Sequence, residues 1–514
     1  MPEINFESEQ VKERFDALLE QTKKGMYQNA IDRNSREYDL GIGTLFNYLY
    51  EQDFMHCTDL DQWYHWNGVY WENADSGDLA RAMQKVSKLF ECRIDDVTFA
   101  RDEDLKGKRT DDAKIKENLL SSLESALKRT RNASTVKNAI WFSDGTVAVR
   151  PLKVKSDVFN KDPYILCVKN GVLELKSGEL REARRDDFCN LCAPVEWQGM
   201  DAPRPLWEKM IFEVLGENKE VCSYFQRVLG MAIIGEVLEK DFFLLYGQEG
   251  DSGKTTIFEI LYSILGGYAA PMPVELLLES TIPTNPNAPS PALMELRGKR
   301  LCWASEPADN RRFSVDRIKI MSGNDTLIAR SPYARSSICF HPSHTLFMLS
   351  NNEPHASAND SAFWKRLRKI DFPFEFVENP VKPNQRKVDQ TLKKRILAEE
   401  ASGVLAWLVQ GVIEYTVERW TNPPECVLNS VTEYRKREDK VYLFKAECTT
   451  ESKGDEITGQ QLYEKFKKWH ERFYGKAPSI AWFGREAKRH FDFIKSGKVK
   501  YLDVAFNEYA DSLE

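Results

Sequence analysis

Three features predict an α/β fold in which a parallel sheet presents a phosphate-binding loop. The first is the stretch from Asp241 to Leu265: an apolar run, a glycine-bearing turn with Gly253-Lys254-Thr255, then apolar residues at helical spacing. The second is a pair of apolar runs, Arg300-Leu301-Cys302-Trp303-Ala304-Ser305-Glu306 and Thr345-Leu346-Phe347-Met348-Leu349-Ser350-Asn351-Asn352. Both end in polar groups, at the carboxyl ends of strands where open parallel sheets bind ligands. The third is size: 514 residues at about 150 per domain leave room for roughly three domains, so the sheet is one unit among several.

Along the chain, residues 1–45 are polar with a helical pattern. Residues 46–195 read as an α+β domain. In it, the alternating aromatics of LDQWYHWNGVYWE around Asn67-Gly68 predict a hairpin with a two-residue turn, and a helix is expected from Asp78. A second strand-turn-strand is expected from Tyr164 to Leu175, and the Pro-bearing stretch from Trp197 to Pro205 reads as a linker. Residues 196–420 form the phosphate-binding unit, with a helical preamble from Leu206 to Leu238 and a helical segment around Gly403 to Leu408. Asn422-Pro423-Pro424 then breaks the chain, and residues 421–514 are a charged, aromatic C-terminal domain.

A phosphate chain needs several backbone N–H donors aimed at one spot, a fixed positive charge and a hydroxyl for magnesium. Gly247, Gly250 and Gly253 let the backbone wrap closely, Lys254 reaches the β and γ phosphates, and Thr255, followed by Thr256, is placed for Mg²⁺. These residues point to ATP and Mg²⁺ as ligands. The loop is one residue longer than the strict pattern, which puts Gln248 where a glycine is expected. A glycine turn with a surface lysine is the bland alternative, and the flanking strand and helix argue against it. Downstream, Glu306 is placed to polarise a water against the γ-phosphate, and Asn351 to bind that phosphate and orient the water. Phe363-Trp364-Lys365-Arg366-Leu367-Arg368 offers Arg366 and Arg368 as guanidinium groups that stabilise charge in a neighbouring subunit's site.

The net charge of −7 excludes a generic polyanion binder and leaves local patches or a pore built by several subunits. Two basic clusters stand out, Lys128-Arg129-Thr130-Arg131 and the segment from Lys465 to Arg489 with its Trp469, Phe473, Trp482 and Phe483. A solvated helix face with aromatics turned inward describes each as well as DNA contact does. Inside the ATPase unit, the stretch from Leu327 to Phe340 reads as a hairpin on which Arg330, Tyr333 and Arg335 are placed to contact phosphates and stack on bases of single-stranded DNA.

No apolar run approaches the roughly 18 residues that span a bilayer, so no membrane partner is expected. The acidic N-terminus has no apolar core and is not a signal peptide, which together with ten scattered cysteines suits reduced thiols in a cytoplasm. Cys189 and Cys192 form the one C-x-x-C; without a second pair or nearby histidines, two buried thiols are favoured over zinc.

The order and spacing of these words resemble a superfamily 3 helicase, within the phage and plasmid primase-helicase group that includes the poxvirus primase-helicase. The matching residues are Gly253-Lys254-Thr255, Leu296 to Leu301 leading to Ser305-Glu306, Met321 to Asp325 with Ala329-Arg330, Leu349-Ser350-Asn351 with Pro354, and Trp364 to Arg368. Asn170 to Leu175 and Gly178-Glu179-Leu180 resemble the region that precedes the ATPase in this group. The resemblance covers roughly residues 45–415. It implies an AAA+-like P-loop ATPase and a small winged-helix-like C-terminal domain.

It further implies a homo-oligomeric, usually hexameric, ring that pulls single-stranded DNA through its centre, generally 3′ to 5′, at forked or origin DNA during replication. Lys254 and Thr255 would bind phosphate and magnesium, Glu306 would be the catalytic acid that shares the metal, Asn351 the sensor and Arg366 the foremost finger. Ser305 departs from the pattern, standing where many P-loop ATPases have an aspartate, so Glu306 carries the carboxylate role unless Asp309 helps. The upstream pairs Asp59-x-Asp61 and Asp102-x-Asp104, with only His56 and His65, do not make a polymerising site. A helicase without primase is therefore expected, in a bacterial host cytoplasm if phage- or plasmid-encoded, with a separate primase or polymerase as partner. A loader, a packaging or partition motor, or a DNA-bound switch that never unwinds is the alternative from another class.

Overall fold

The computed structural model describes residues 9–23, 30–132, 134, 153–279, 290–305, 311–330, 332, 337–496 and 498–513. The chain divides into two compact units, the first made of Met1–Ala202 with Ser263–Tyr268 and Ala401–Val409, the second of the remainder.

In the first unit, helices Glu9–Lys23, Ala30–Ser35, Tyr38–Tyr50, Ser76–Lys106 and Thr110–Thr130 share one core. Ile42, Phe46 and Leu49 on one helix and Met83, Val86 and Phe90 on another recur at the three- and four-residue spacing that puts them on one face. The long helix begins at a capping box between Asp75 and Asp78. The boundary expected at residue 45 falls inside helix Tyr38–Tyr50, because its apolar face belongs to the same core as the helices that follow. The basic cluster at residues 128–131 is engaged locally: Arg129 bonds Asp39 at 3.0 Å over the Tyr38 ring, and Arg131 bonds Glu91 at 2.9 Å.

Strands Gln62–Trp66 and Trp71–Ala74 form the expected hairpin, but its turn holds four residues rather than two. Asn67 explains the difference, since its Oδ1 accepts from the N–H groups of Val69 (3.0 Å) and Tyr70 (2.9 Å) and so builds a wider turn. Ile165–Val168 and Gly171–Glu174 do pair across two residues. Asn170 in that turn accepts from the Trp197 N–H at 2.9 Å and donates to its carbonyl at 3.0 Å, which pins the start of the stretch read as a linker. Asp59 is taken up by Ser156 and Cys57, and Asp104 by Arg109 and Lys116. Among the described residues, no group of three or more His, Cys, Asp or Glu side chains is arranged to hold a metal.

The second unit is built on a five-stranded parallel sheet in the order Leu367–Asp371, Phe242–Tyr246, Thr345–Ser350, Leu301–Ser305, Ala269–Pro271. Numbered along the chain, that order is 5-1-4-3-2. Phe242 to Leu245 and Leu346 to Leu349 are continuous apolar runs because both faces of a parallel sheet are covered. From helix Lys254–Leu265, Phe258 packs on Phe347 with ring centroids 5.2 Å apart. Helix Lys219–Ile233 meets Ala401–Glu418 backbone to backbone: a Cβ on Gly230 would lie 2.2 Å from the Gly411 carbonyl carbon, and one on Gly411 2.2 Å from the Gln226 oxygen.

After the expected break, where Asn422 is left-handed, helix Glu425–Glu438 leads to a C-terminal domain. Its elements are Lys440–Cys448, Thr449–Thr458, Gly459–Tyr474, Ile480–Ala487, Phe493–Ser496 and Lys498–Phe506, that is helix, strand, two helices and two strands. The last strand lies between the other two, antiparallel to both. Phe444, Phe466, Trp469 and Phe483 fill its core, while Arg485, Lys488 and Arg489 stay exposed. Among the described residues no single helix is long and apolar enough to cross a membrane.

Candidate nucleotide-binding site

Parallel pairing brings the carboxyl ends of three strands to one edge: Ser350 lies opposite Tyr246, and Ser305 opposite Leu349. The chain leaves Tyr246, turns through residues 247–253 and enters helix Lys254–Leu265, so the helix N-terminus opens at that edge. Gly253 has φ +85°, and a Cβ there would sit 2.8 Å from Val214 Cγ1, so glycine is required on both counts. Gly247 is buried against the lysine; its Cβ would lie 2.6 Å from Lys254 Nζ and 2.5 Å from Ser252 Oγ. The extra residue of the loop therefore does not move Gly247 away from the site. A left-handed Asp251, φ 50°, takes up the longer turn, and Gly250 stands in open space.

Lys254 is 6% exposed. Its ammonium donates to Asn351 Oδ1 at 2.8 Å, to Ser252 Oγ at 2.6 Å and to the Gly247 carbonyl at 3.5 Å. The loop lysine and the strand-end asparagine thus meet across 97 positions of sequence. Thr255 is exposed and Thr256 half-buried in the first turn of the helix. These groups line a cleft of 760 Å³ with Ser305, Ser350 and, on its apolar side, Met210, Val214, Phe376 and Leu392. The Phe376 N–H donates to the Asp251 carbonyl at 3.0 Å, which fixes that aromatic beside the loop. The size suits a nucleotide, and the two-sided lining suits triphosphate and base. The apolar side was not singled out in sequence, where these residues look like any other core positions.

Glu306, Asp309, Tyr333 and Arg335 lie outside the described residues. Ser305, before Glu306, ends its strand exposed at the loop edge. Strands Leu327–Ala329 and Ile338–Phe340 pair antiparallel, with Arg330 following Ala329 and its carbonyl accepting from the Ser290 N–H at 2.9 Å.

Arg366 and Arg368 are not at this edge. They flank Leu367, which pairs with Phe242 at the amino end of the sheet. Arg366 donates to the Lys319 carbonyl at 3.2 Å and to Ser322 Oγ at 3.1 Å. The guanidinium of Arg368, read from sequence as a second finger, forms a 3.0 Å ion pair with buried Asp241 in its own chain. Burial pushes the Asp241 carboxyl up to about 7, outweighing the pull of Arg368 in the other direction. A charge so enclosed needs that arginine as a structural counterion.

Residues 43–216 match the family described as D5 N terminal like. The chain is 26% identical over 366 residues to "Putative helicase L207/L206" of Acanthamoeba polyphaga mimivirus, covering 68% of this chain and 37% of that one. It is 21% identical over 524 residues to "Putative helicase 022R" of Frog virus 3, covering 82% and 53%. The chain thus spans between about a third and a half of the length of these relatives. Among solved structures, the apo NrS-1 C-terminal region (305-718) aligns at 12% identity and a TM-score of 0.39 over 72% of this chain and 90% of that one, too loose a match to support a conclusion. Through its D5 N-terminal-like region and its viral relatives, the chain is similar to the superfamily 3 helicases of the phage and plasmid primase-helicase group, the poxvirus primase-helicase among them.

Proposed function

We propose that the chain is the ATP-hydrolysing part of a replicative DNA helicase, an AAA+-like unit that assembles into a hexameric ring and draws single-stranded DNA through its centre, 3′ to 5′. The observation that carries this reading is the contact of Lys254 with Asn351 inside a glycine loop at the carboxyl edge of a parallel sheet. A buried ammonium held by neutral groups in a cradle that a Cβ would fill fits the terminal phosphates of ATP. Magnesium, held through Thr255 and Glu306, would neutralise charge between the β and γ phosphates.

Lys254 moves its hydrogen bonds from Asn351 to phosphate oxygens when ATP enters. Asn351, released, orients the attacking water, and Glu306 accepts its proton. Arg366, at the amino end of its own sheet, is the finger for the site of a neighbouring subunit on this reading, and Arg330, Tyr333 and Arg335 are the contacts to single-stranded DNA. The helix-strand-helix-helix-strand-strand order of the C-terminal domain supports a winged-helix-like accessory for forked or origin DNA. Forked-duplex unwinding with ATP tests the proposal: strand separation lost in Lys254→Ala is expected. ATP hydrolysis by the wild-type chain on DNA without any separation would refute unwinding in favour of a loader or switch.

A further inference from the structure

Helix Lys254–Leu265 runs on into a turn ending at Tyr268, whose hydroxyl donates to the Leu191 carbonyl at 2.8 Å and accepts from the Cys167 N–H at 3.2 Å. Tyr268 therefore holds together two segments that bring three thiols into one small apolar cluster: Cys167, Cys189 and Cys192, with Ile165, Val172 and Tyr70 around them. Within the cluster the Cys167 thiol donates to the Val69 carbonyl at 3.8 Å and the Cys192 thiol to the Ala193 carbonyl at 3.4 Å. Register makes one pair special. Val168 and Ala193 form a parallel bridge, and the Ala193 N–H donates to the Cys167 carbonyl at 2.9 Å. One step back along both segments stand Cys167 and Cys192, side by side on the same face. An ideal ladder spaces strands about 4.8 Å apart, and the Tyr268 hydroxyl set between the Cys167 N–H and the Leu191 carbonyl opens this step further; a disulfide accepts Cα atoms about 4.4–6.8 Å apart.

We propose that Cys167 and Cys192 are a site of reversible thiol–disulfide modification, closed by exchange with a low-molecular-weight disulfide. Cys192 is the attacking thiol, since it is half-buried while Cys167 is fully enclosed. The Cys167 thiol, with help from Lys169 and against the effect of burial, holds the Cys192 thiol below its ordinary range, which favours it as the nucleophile. That thiolate attacks one sulfur of the small disulfide and forms a mixed disulfide, and the departing thiolate takes up a proton. Cys167 then gives up its proton and attacks the Cys192 sulfur. The protein disulfide forms, and the second small thiol leaves with that proton. Three thiols without a fourth donor favour this chemistry over a metal, in keeping with the absence of a metal-holding group among the described residues.

The full chain, treated with oxidised glutathione at neutral pH and digested without reductant, should yield one peptide pair joining Cys167 to Cys192. Two of the ten thiols should disappear from a denatured titration and return with reductant. Cys192→Ser should give no intrachain bond. Cys167→Ala should stop at a glutathione adduct on Cys192, which separates lost chemistry from lost folding. Zinc bound stoichiometrically in the purified chain, a bond joining any other pair, or wild type retaining all ten thiols would overturn the proposal.

Discussion

Asn351→Asp tests the geometry of the phosphate site more sharply than removal of the lysine. In the native chain a neutral amide oxygen accepts from Lys254 Nζ at 2.8 Å. A carboxylate in its place forms an ion pair with that buried ammonium and cancels the charge meant for phosphate. The native bond is already charge-assisted through its ammonium donor, and an ionised acceptor only strengthens it, so the nucleotide-free variant should melt no lower than wild type. Bound ATP would face a new negative charge about 5 Å from its terminal phosphate, which at an effective dielectric of about 20 costs about 3 kcal/mol. That is about two decades in Kd. Asn351→Ala, which only vacates the lysine, should stay within about threefold of wild-type affinity, a difference of about 0.6 kcal/mol, and lose turnover instead. Equilibrium titration with a fluorescent ATP analogue, paired with thermal melts, reads all three quantities. Wild-type affinity in a folded Asn351→Asp protein would place Asn351 away from the phosphates and refute the reasoning.

Mixed rings of Arg366→Ala and Lys254→Ala chains should recover ATPase activity that neither has alone, because some interfaces combine an intact loop with an intact arginine; no recovery in verified mixed oligomers would confine Arg366 to its own chain. His344, held by burial down to about 4 against an ordinary 6.5, gives stability that is present above pH 6.5 and lost as pH falls towards 4. The loss is about 3 kcal/mol, and denaturant melts from pH 7 to 4 should show a flatter slope in His344→Gln. Arg330→Ala with Arg335→Ala should lower the salt slope of single-stranded DNA binding by about 0.7 per contact, and Arg485→Ala with Lys488→Ala that of duplex binding by about 0.9 per contact. Unchanged slopes in either pair would remove those residues from the DNA.

The loop and its partner asparagine were legible because their chemistry is local: a strand-turn-helix pattern around Gly253-Lys254-Thr255 and an amide at the end of an apolar run each declare themselves within a few residues. That Lys254 touches Asn351 follows once parallel strands align their carboxyl ends. The ion-pair partner of Arg368 within its own chain was not legible. Asp241 lies 368 − 241 = 127 positions away, and the pair forms only through the register that sets Leu367 opposite Phe242. The turn at Asn67 was misread for the opposite reason, since an Asn-Gly signal for a two-residue turn competes with the side chain's own bonds to Val69 and Tyr70. Of Cys189 and Cys192, both read as buried thiols, Cys189 is buried and Cys192 only half-buried. Their third partner, Cys167, comes from a strand that no spacing rule links to a C-x-x-C.

The meeting of Gly230 and Gly411 has a mechanical consequence. With backbones this close, any shift along the axis would drive Leu229 or Met231 into a gap where even a methyl would stand 2.2 Å from the opposite chain. Each residue advances a helix by about 1.5 Å, so even a single-residue slide meets this obstruction. The two helices are therefore barred from sliding past one another at this crossing.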